Sequence, residues 1–163
     1  MNDRSRGGHP GDRIGELYDQ MAVGLYRYAL MILADSGAAA DAVQQVFVAL
    51  LRLDRAIESD ERYLRRAVRN ECYSALRRRQ RDPGAPSEPL LEALTAAEDR
   101  PDERIAIERA LLTLPAEQRE AVHLKVFEGM TFQEIADLCG ESINTVASRY
   151  RYAIEKLRDQ LCL

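Results

Sequence analysis

The chain has 163 residues, of which 46% are hydrophobic, so it has the means to build a core and is not a wholly disordered segment. Twenty-three Lys and Arg stand against 27 Asp and Glu, a formal charge of −4. That balance excludes a uniformly basic surface that coats nucleic acid, and leaves room only for a local basic face. Three widely spaced cysteines, Cys72, Cys139 and Cys162, form neither a disulfide framework nor a CxxC metal signature. No run of 18 apolar residues occurs and the polar N-terminus has no signal core, so membrane insertion is not expected and the default compartment is cytoplasmic.

Apolar residues at Ile14, Leu17, Met21, Leu25, Tyr28 and Ile32 recur at steps of three and four, which predicts a first helix. A second is predicted over roughly 38–53, with Val43, Val46, Phe47 and Leu50 inward and Asp41, Gln44 and Gln45 on other faces. The third covers roughly 60–80 and carries Tyr63, Leu64, Ala67, Val68, Cys72, Ala75 and Leu76. Three amphipathic helices suffice to bury one another as a first domain, read as residues 12–81. Between 62 and 81 the third also bears Arg62, Arg65, Arg66, Arg69, Arg77, Arg78, Arg79 and Arg81 against Glu71 alone. Such a face suits phosphates, although an acidic protein partner would suit it too. Tyr63 and Tyr73 interleave with these charges; either suits stacking on an unstacked base, and Tyr63 equally suits the core.

Composition shifts over residues 82–102. Between 82 and 108 stand eight acids and two arginines, and the prolines at its start disfavour one continuous helix. This is read as a linker, either loose or docked through Leu90, Leu91 and Leu94. A second helical domain follows over 103–161. Ile105, Leu111 and Leu112 supply its first apolar positions, Pro115 suits the N1 position of the next helix, and Val122, Leu124, Val126 and Phe127 enrich that helix in core candidates. Gly129 is expected to release the chain. Thr131 and Glu134 have capping-box spacing, which predicts a fresh helix to about Leu138.

Gly140 then marks a turn, Ser142 an N-cap, and Val146 and Tyr150 belong to the last helix. With the small Ala136, this is helix-turn-helix patterning. The second helix of such a unit enters a major groove, which would present Ser142, Asn144, Thr145, Ser148 and Arg149 to bases or phosphates. A two-helix corner in a helical repeat is the plainer reading, but no second repeat supports it. Two all-α domains joined by an acidic, Pro-containing linker is the fold class that results.

Taken together, "DAVQQVFVALLRL", "RYLRRAVRNECYSALRRRQR" and "ALLTLPAEQREAVHLKVFEGMTFQEIADLCGESINTVASRYRYAIEKLR" resemble the extracytoplasmic-function (ECF) sigma factors of the bacterial sigma-70 family. The likeness covers about residues 14–80 and 103–160. It implies region 2, which docks on the clamp helices of core RNA polymerase and captures the −10 element, and region 4, which binds the −35 element. Asp41, Gln44 and Phe47 fall on a D-x-x-Q-x-x-F pattern, which makes Asp41 and Gln44, with neighbouring Gln45, candidate polymerase contacts and Phe47 a core residue. Arg66, Arg69 and Asn70 match R-x-x-R-N, with Arg77 and Arg78 further along the helix as DNA candidates. Thr145, Val146, Ser148 and Arg149 match T-V-x-S-R, where Val146 packs and the polar positions face DNA.

Departures from the family pattern include Ala40 and Gln45 in place of acids, Tyr63 in place of tryptophan, Ser74 in place of aspartate and Ala147 in place of lysine. They are expected to tune promoter preference or polymerase affinity. The implied function is a sigma factor that directs core RNA polymerase to promoters, with an anti-sigma factor as a further partner and no cofactor. The alternative is a sigma-like DNA-binding regulator that does not initiate transcription. Enzymatic chemistry has little support: His9 and His123 lack a metal-ligand pattern, and no Walker motif is present.

Overall fold

A computed structural model describes residues 10–53, 61–84 and 102–162. Among them are seven α-helices and one π-helical turn, with no strand. The linker expected over 82–102 lies almost wholly outside the described residues, as do Leu90, Leu91 and Leu94.

The first three helices are α1 (Pro10–Leu33), α2 (Ser36–Arg52) and α3 (Glu61–Arg81). Their apolar stripes meet as the sequence predicts. Leu25, Tyr28 and Ile32 of α1, Val43, Val46, Phe47 and Leu50 of α2, and Leu64, Val68 and Cys72 of α3 are all buried. Tyr63 departs from that set and stands half in solvent. The α1–α2 corner is tight. Ala34 adopts left-handed φ of 52°, and its N–H closes on Leu30 O at 2.8 Å. Asp35 then caps α2 by accepting from the Ala38 N–H at 2.8 Å, and its buried carboxylate meets Arg79 at 3.1 Å.

The second half comprises α4 (Asp102–Thr113), α5 (Ala116–Val122), the π-helical turn His123–Phe127, α6 (Phe132–Cys139) and α7 (Ile143–Leu161). Pro115 sits one position earlier than expected, as the N-cap in extended conformation, so α5 starts at Ala116. Leu111 and Val122 join Ala153 and Leu157 of α7 in a small core.

The π turn corrects one expectation. Val126 and Phe127 are not core residues but stand 55% and 64% exposed. In a π turn each residue advances the helix by less than the α value, so the stripe through Val122 and Leu124 leaves those two behind. Leu124 itself is fully buried.

Local chemistry places the helix-turn-helix. Thr131 Oγ1 accepts from the Glu134 N–H at 3.2 Å, and Glu134 Oε2 accepts from the Thr131 N–H at 2.7 Å. The Thr131 N–H, and after it the Thr131 hydroxyl at 2.9 Å, donate to the Glu134 carboxylate and lower its pKa. Thr131→Ala removes one half of this box and is expected to cost about 1 kcal/mol in urea unfolding. Gly140 ends α6 at φ 69°, a left-handed conformation that a side chain would disfavour. Ser142 caps α7, with Oγ accepting from the Thr145 N–H at 3.1 Å. Ile135 and Ala136 of α6 and Val146 of α7 are buried together.

The two halves are not held apart. Leu124, Ile135, Ala136, Leu138 and Val146 belong to the same buried cluster as the first three helices. Helix α5 packs on α1, and α6 packs on α3.

Candidate nucleic-acid and polymerase interface

Three sets of predicted site residues occupy three places. On α2, Asp41, Gln44 and Gln45 are exposed, on the side away from the buried Val43, Val46, Phe47 and Leu50. They line a groove of about 750 Å³ between α2 and α3, whose far wall includes Asn70 and Ser74. Asn70 is exposed as well. The groove thus brings the polymerase candidates and one DNA candidate to a common surface.

On α7, Ser142 and Asn144 are exposed, while Thr145, Ser148 and Arg149 are half-buried. Ser142 and Thr145 are partly occupied with each other, since their hydroxyls lie 2.8 Å apart. Arg149 donates to Glu141 Oε1 at 3.0 Å. Asn144 is exposed at the first turn of the helix.

On α3 the arginines divide by direction. Toward the C-terminal end, Arg77 donates to Ser74 Oγ at 2.9 Å and Arg78 to Glu71 Oε1 at 2.8 Å. Both stay exposed on their own helix. Nearer the N-terminal end, Arg65, Arg66 and Arg69 reach the second half of the chain. Arg65 donates to Glu128 Oε2 at 3.1 Å, and Arg66 to the Asp137 carbonyl at 2.7 Å. Arg69 grips Glu120 with two donors, Nε to Oε1 at 2.8 Å and Nη2 to Oε2 at 3.2 Å. A two-pronged guanidinium–carboxylate pair fixes orientation as well as charge.

Sequence reasoning did not single out Glu120, and it is the centre of this contact. Only 1% of it is exposed, and it accepts from the Tyr28 hydroxyl at 2.5 Å and the Tyr73 hydroxyl at 2.6 Å in addition to Arg69. A buried carboxylate without partners would be very costly, and these four hydrogen bonds from three residues offset its lost hydration. The field shows in the neighbours. Burial and the Glu120 charge raise the pKa of Tyr28 and of Tyr73. Burial works against the Arg69 charge, but Glu120 holds its pKa up overall. The Arg69 guanidinium also lies over the Tyr73 ring, 4.5 Å from its centroid. Burial first, and then the same carboxylate, pushes the Cys72 thiol up to about 12 and the Cys139 thiol to about 11. Neither cysteine is therefore a reactive thiolate near neutral pH.

The preceding residue, Arg119, is also buried and also reaches across. Its guanidinium donates to the Leu114 carbonyl at 2.8 Å within its own half, and to the Met31 and Ile32 carbonyls at the end of α1, the latter at 2.9 Å. Those carbonyls belong to the last turn of α1, where no intrahelical donor remains. The available signal was a charged pair on an apolar stripe: Glu120 lies four residues before Leu124, on the same side of the helix.

His123 is stacked between Tyr28 of α1, at 5.9 Å, and Phe127, at 5.7 Å. Its Nε2 lies 3.3 Å from Glu128 Oε1 without the alignment of a hydrogen bond. Burial lowers its pKa, with Arg65 acting the same way and Glu128 and Glu120 opposing. The unfolded chain therefore binds this proton at higher pH than the fold does, so stability drops as pH falls through the ordinary histidine value of about 6.5. The melting temperature is expected to be lower at about pH 5.5 than at about pH 7.5, by a margin that narrows in His123→Gln.

Between the halves opens a cleft of about 320 Å³ lined by Arg69, Asn70 and Arg77 of α3, Arg149 of α7, and Glu117 and Glu141. Both DNA-candidate sets thus border one space. No helix among the described residues is long and apolar enough to cross a membrane.

Known proteins give this geometry a context. The family description "Sigma-70 region 2" matches residues 17–82, and "Sigma-70, region 4" matches residues 104–157. ECF RNA polymerase sigma factor SigM of Mycobacterium tuberculosis is 33% identical over 158 residues, covering 90% of this chain and 77% of SigM. SigK of the same species is 27% identical over 165 residues, covering 94% of this chain and 88% of SigK. In the co-crystal structure of the sigma factor RpoE with the anti-sigma factor NepR from Bartonella quintana, one chain matches with a TM-score of 0.70 at 24% identity, over 93% of this chain and 98% of its own length, which shows a shared fold. With both sigma regions matched in order and SigM aligned along nearly the whole length, the chain belongs to the ECF sigma factors of the sigma-70 family.

Proposed function

We propose that this chain directs core RNA polymerase to promoters through two DNA-reading surfaces. The observation that carries this reading is the division of labour in one short chain. The arginine-bearing α3, with Asn70, belongs to the first half and the capped helix-turn-helix to the second, while α2 keeps Asp41, Gln44 and Gln45 exposed. In this assignment Arg66, Arg69, Asn70, Arg77 and Arg78 engage the −10 side. The arginines neutralise phosphates, and Asn70 reads a base edge. Ser142, Asn144, Thr145, Ser148 and Arg149 engage the −35 side from the first turns of α7. The polymerase meets Asp41, Gln44 and Gln45. Holding unstacked bases lowers the free energy of open promoter DNA, and all bond-making stays with the polymerase, so the chain itself is not an enzyme.

The setting is the cytoplasm, where polymerase and chromosome are found. An anti-sigma factor is a further expected partner, as NepR is for the Bartonella RpoE. The boundaries 12–81 and 103–161 are proposed for the two domains, with 82–102 between them.

The test is reconstituted transcription with core polymerase of the matching bacterium on a randomised promoter library. Initiation that requires the chain is expected, with two enriched elements. Arg66→Ala with Arg69→Ala should lower promoter opening about tenfold or more, because two charged contacts are lost. DNA binding without any chain-dependent initiation would favour a non-initiating regulator.

A further inference from the structure

We propose that Asp82, just past the end of α3, joins Asp41 in holding a basic side chain of core RNA polymerase in a pocket at the α1–α2 corner. This rests on the reading of α2 as the polymerase face, and adds to that face a second wall and the chemistry of the group it receives. The pocket, of about 340 Å³, is floored by Leu33 of α1, Ala38 and Ala42 of α2, and Ala75 and Leu76 of α3. Asp41 and Gln45 line both this pocket and the larger groove between α2 and α3, so the two hollows adjoin along one side of α2.

Charge selects the occupant. Four carboxylates and two guanidiniums border the pocket. The guanidiniums are committed, Arg79 to Asp35 at 3.1 Å and Arg78 to Glu71 at 2.8 Å. Asp41 and Asp82 are exposed and have no ion pair among the described residues, and Asp82 takes only a long bond, from the Gly84 N–H at 3.4 Å. Two negative charges are thus left over beside an apolar floor. A lysine or arginine suits both parts, because its methylene stem covers apolar surface while its head stays with charge and water. An acidic side chain is repelled, and an apolar one would strip water from two carboxylates with nothing in return. Nor does Asp82 serve the helix it follows. Its N–H closes on the Arg78 carbonyl at 3.0 Å, so its carboxylate stands at the negative end of the α3 dipole, where it is unfavourable.

The test measures the affinity of the full-length chain for core polymerase of the matching bacterium, without DNA, by fluorescence anisotropy at low and at high salt. Asp82→Asn keeps the shape and is expected to weaken binding about fivefold at low salt and less at high salt, with a melting temperature unchanged or slightly higher. Gln45→Glu added to Asp82→Asn should restore the affinity, since it returns a carboxylate to the same pocket from another wall. Ala75→Leu fills the floor without touching charge and should weaken binding by the same factor at both salts. Gln44→Ala reports on the polymerase face itself, because Gln44 lines the groove but not the pocket. A loss at Gln44→Ala with wild-type affinity in Asp82→Asn would overturn the pocket and leave the face standing. Wild-type affinity in every variant would overturn the face, and the pocket with it. A loss at Asp82→Asn that Gln45→Glu does not restore, or that Ala75→Leu does not share, would show charge acting at a distance and overturn the seated side chain. Should Ala75→Leu lose its cooperative melt, the Gln45→Glu rescue decides alone.

Discussion

Arg119→Met is expected to lower the unfolding free energy by about 2–4 kcal/mol, read as a drop in the urea midpoint at unchanged slope. Methionine keeps most of the length of the side chain, so the loss falls on hydrogen bonds rather than on volume. The carbonyls of Leu114, Met31 and Ile32 lose their donor, and a buried acceptor left unmet costs about 1–3 kcal/mol. Against this runs a gain, because the arginine charge is itself buried and its pKa is lowered by that burial. Removing the charge recovers some of that desolvation, which is why the expected loss is well below the sum over three carbonyls. Arg119→Lys should fall between the two, since one ammonium cannot reach carbonyls on both halves with the spread of a guanidinium. A variant as stable as wild type would show that water satisfies the end of α1 equally well.

Ile135→Ala should cost a similar amount, about 2–5 kcal/mol, by a different route. Ile135 is 1% exposed and lies in the cluster that joins the helix-turn-helix to the first three helices. Truncation leaves a cavity in surroundings fixed on several sides, so little collapse can fill it. Ile143, at the start of α7, is an internal control. It is 44% exposed, and Ile143→Ala should change stability by less than about 0.5 kcal/mol. Equal effects at both positions would mean that the shared core is not intact in solution.

The elements that the sequence announced share a trait: their cause is local. Thr131 with Glu134, Gly140 and Ser142 each act within four residues, and the apolar stripes of α1, α2 and α3 repeat within one helix. What escaped is non-local. Tyr28 and Glu120 are 92 residues apart, and Arg66 and Asp137 are 71 apart. No spacing rule connects such positions, so a basic helix face reads the same whether it awaits DNA or is already met by protein. Asp35 was missed for a related reason. As a cap it is a local feature, but its burial depends on Arg79, 44 residues away. The site residues of α2 and α7 were easier to place, because a helix that turns its apolar side inward leaves few other directions for its polar ones.

The π-helical turn at His123–Phe127 acts on phase. One residue more than an α-turn would hold is absorbed there, equivalent to a rotation of about 100° for the chain downstream of it. Deleting a single residue from this turn would regularise the helix, swing its exit toward a different azimuth and redirect Glu128, the partner of Arg65. The turn therefore works as a spacer, letting Glu120 and Leu124 keep their shared side while the chain leaves at the angle that Gly129 and α6 require. Single-residue length changes should accordingly be far less tolerated between 123 and 127 than substitutions at the exposed Val126 or Phe127.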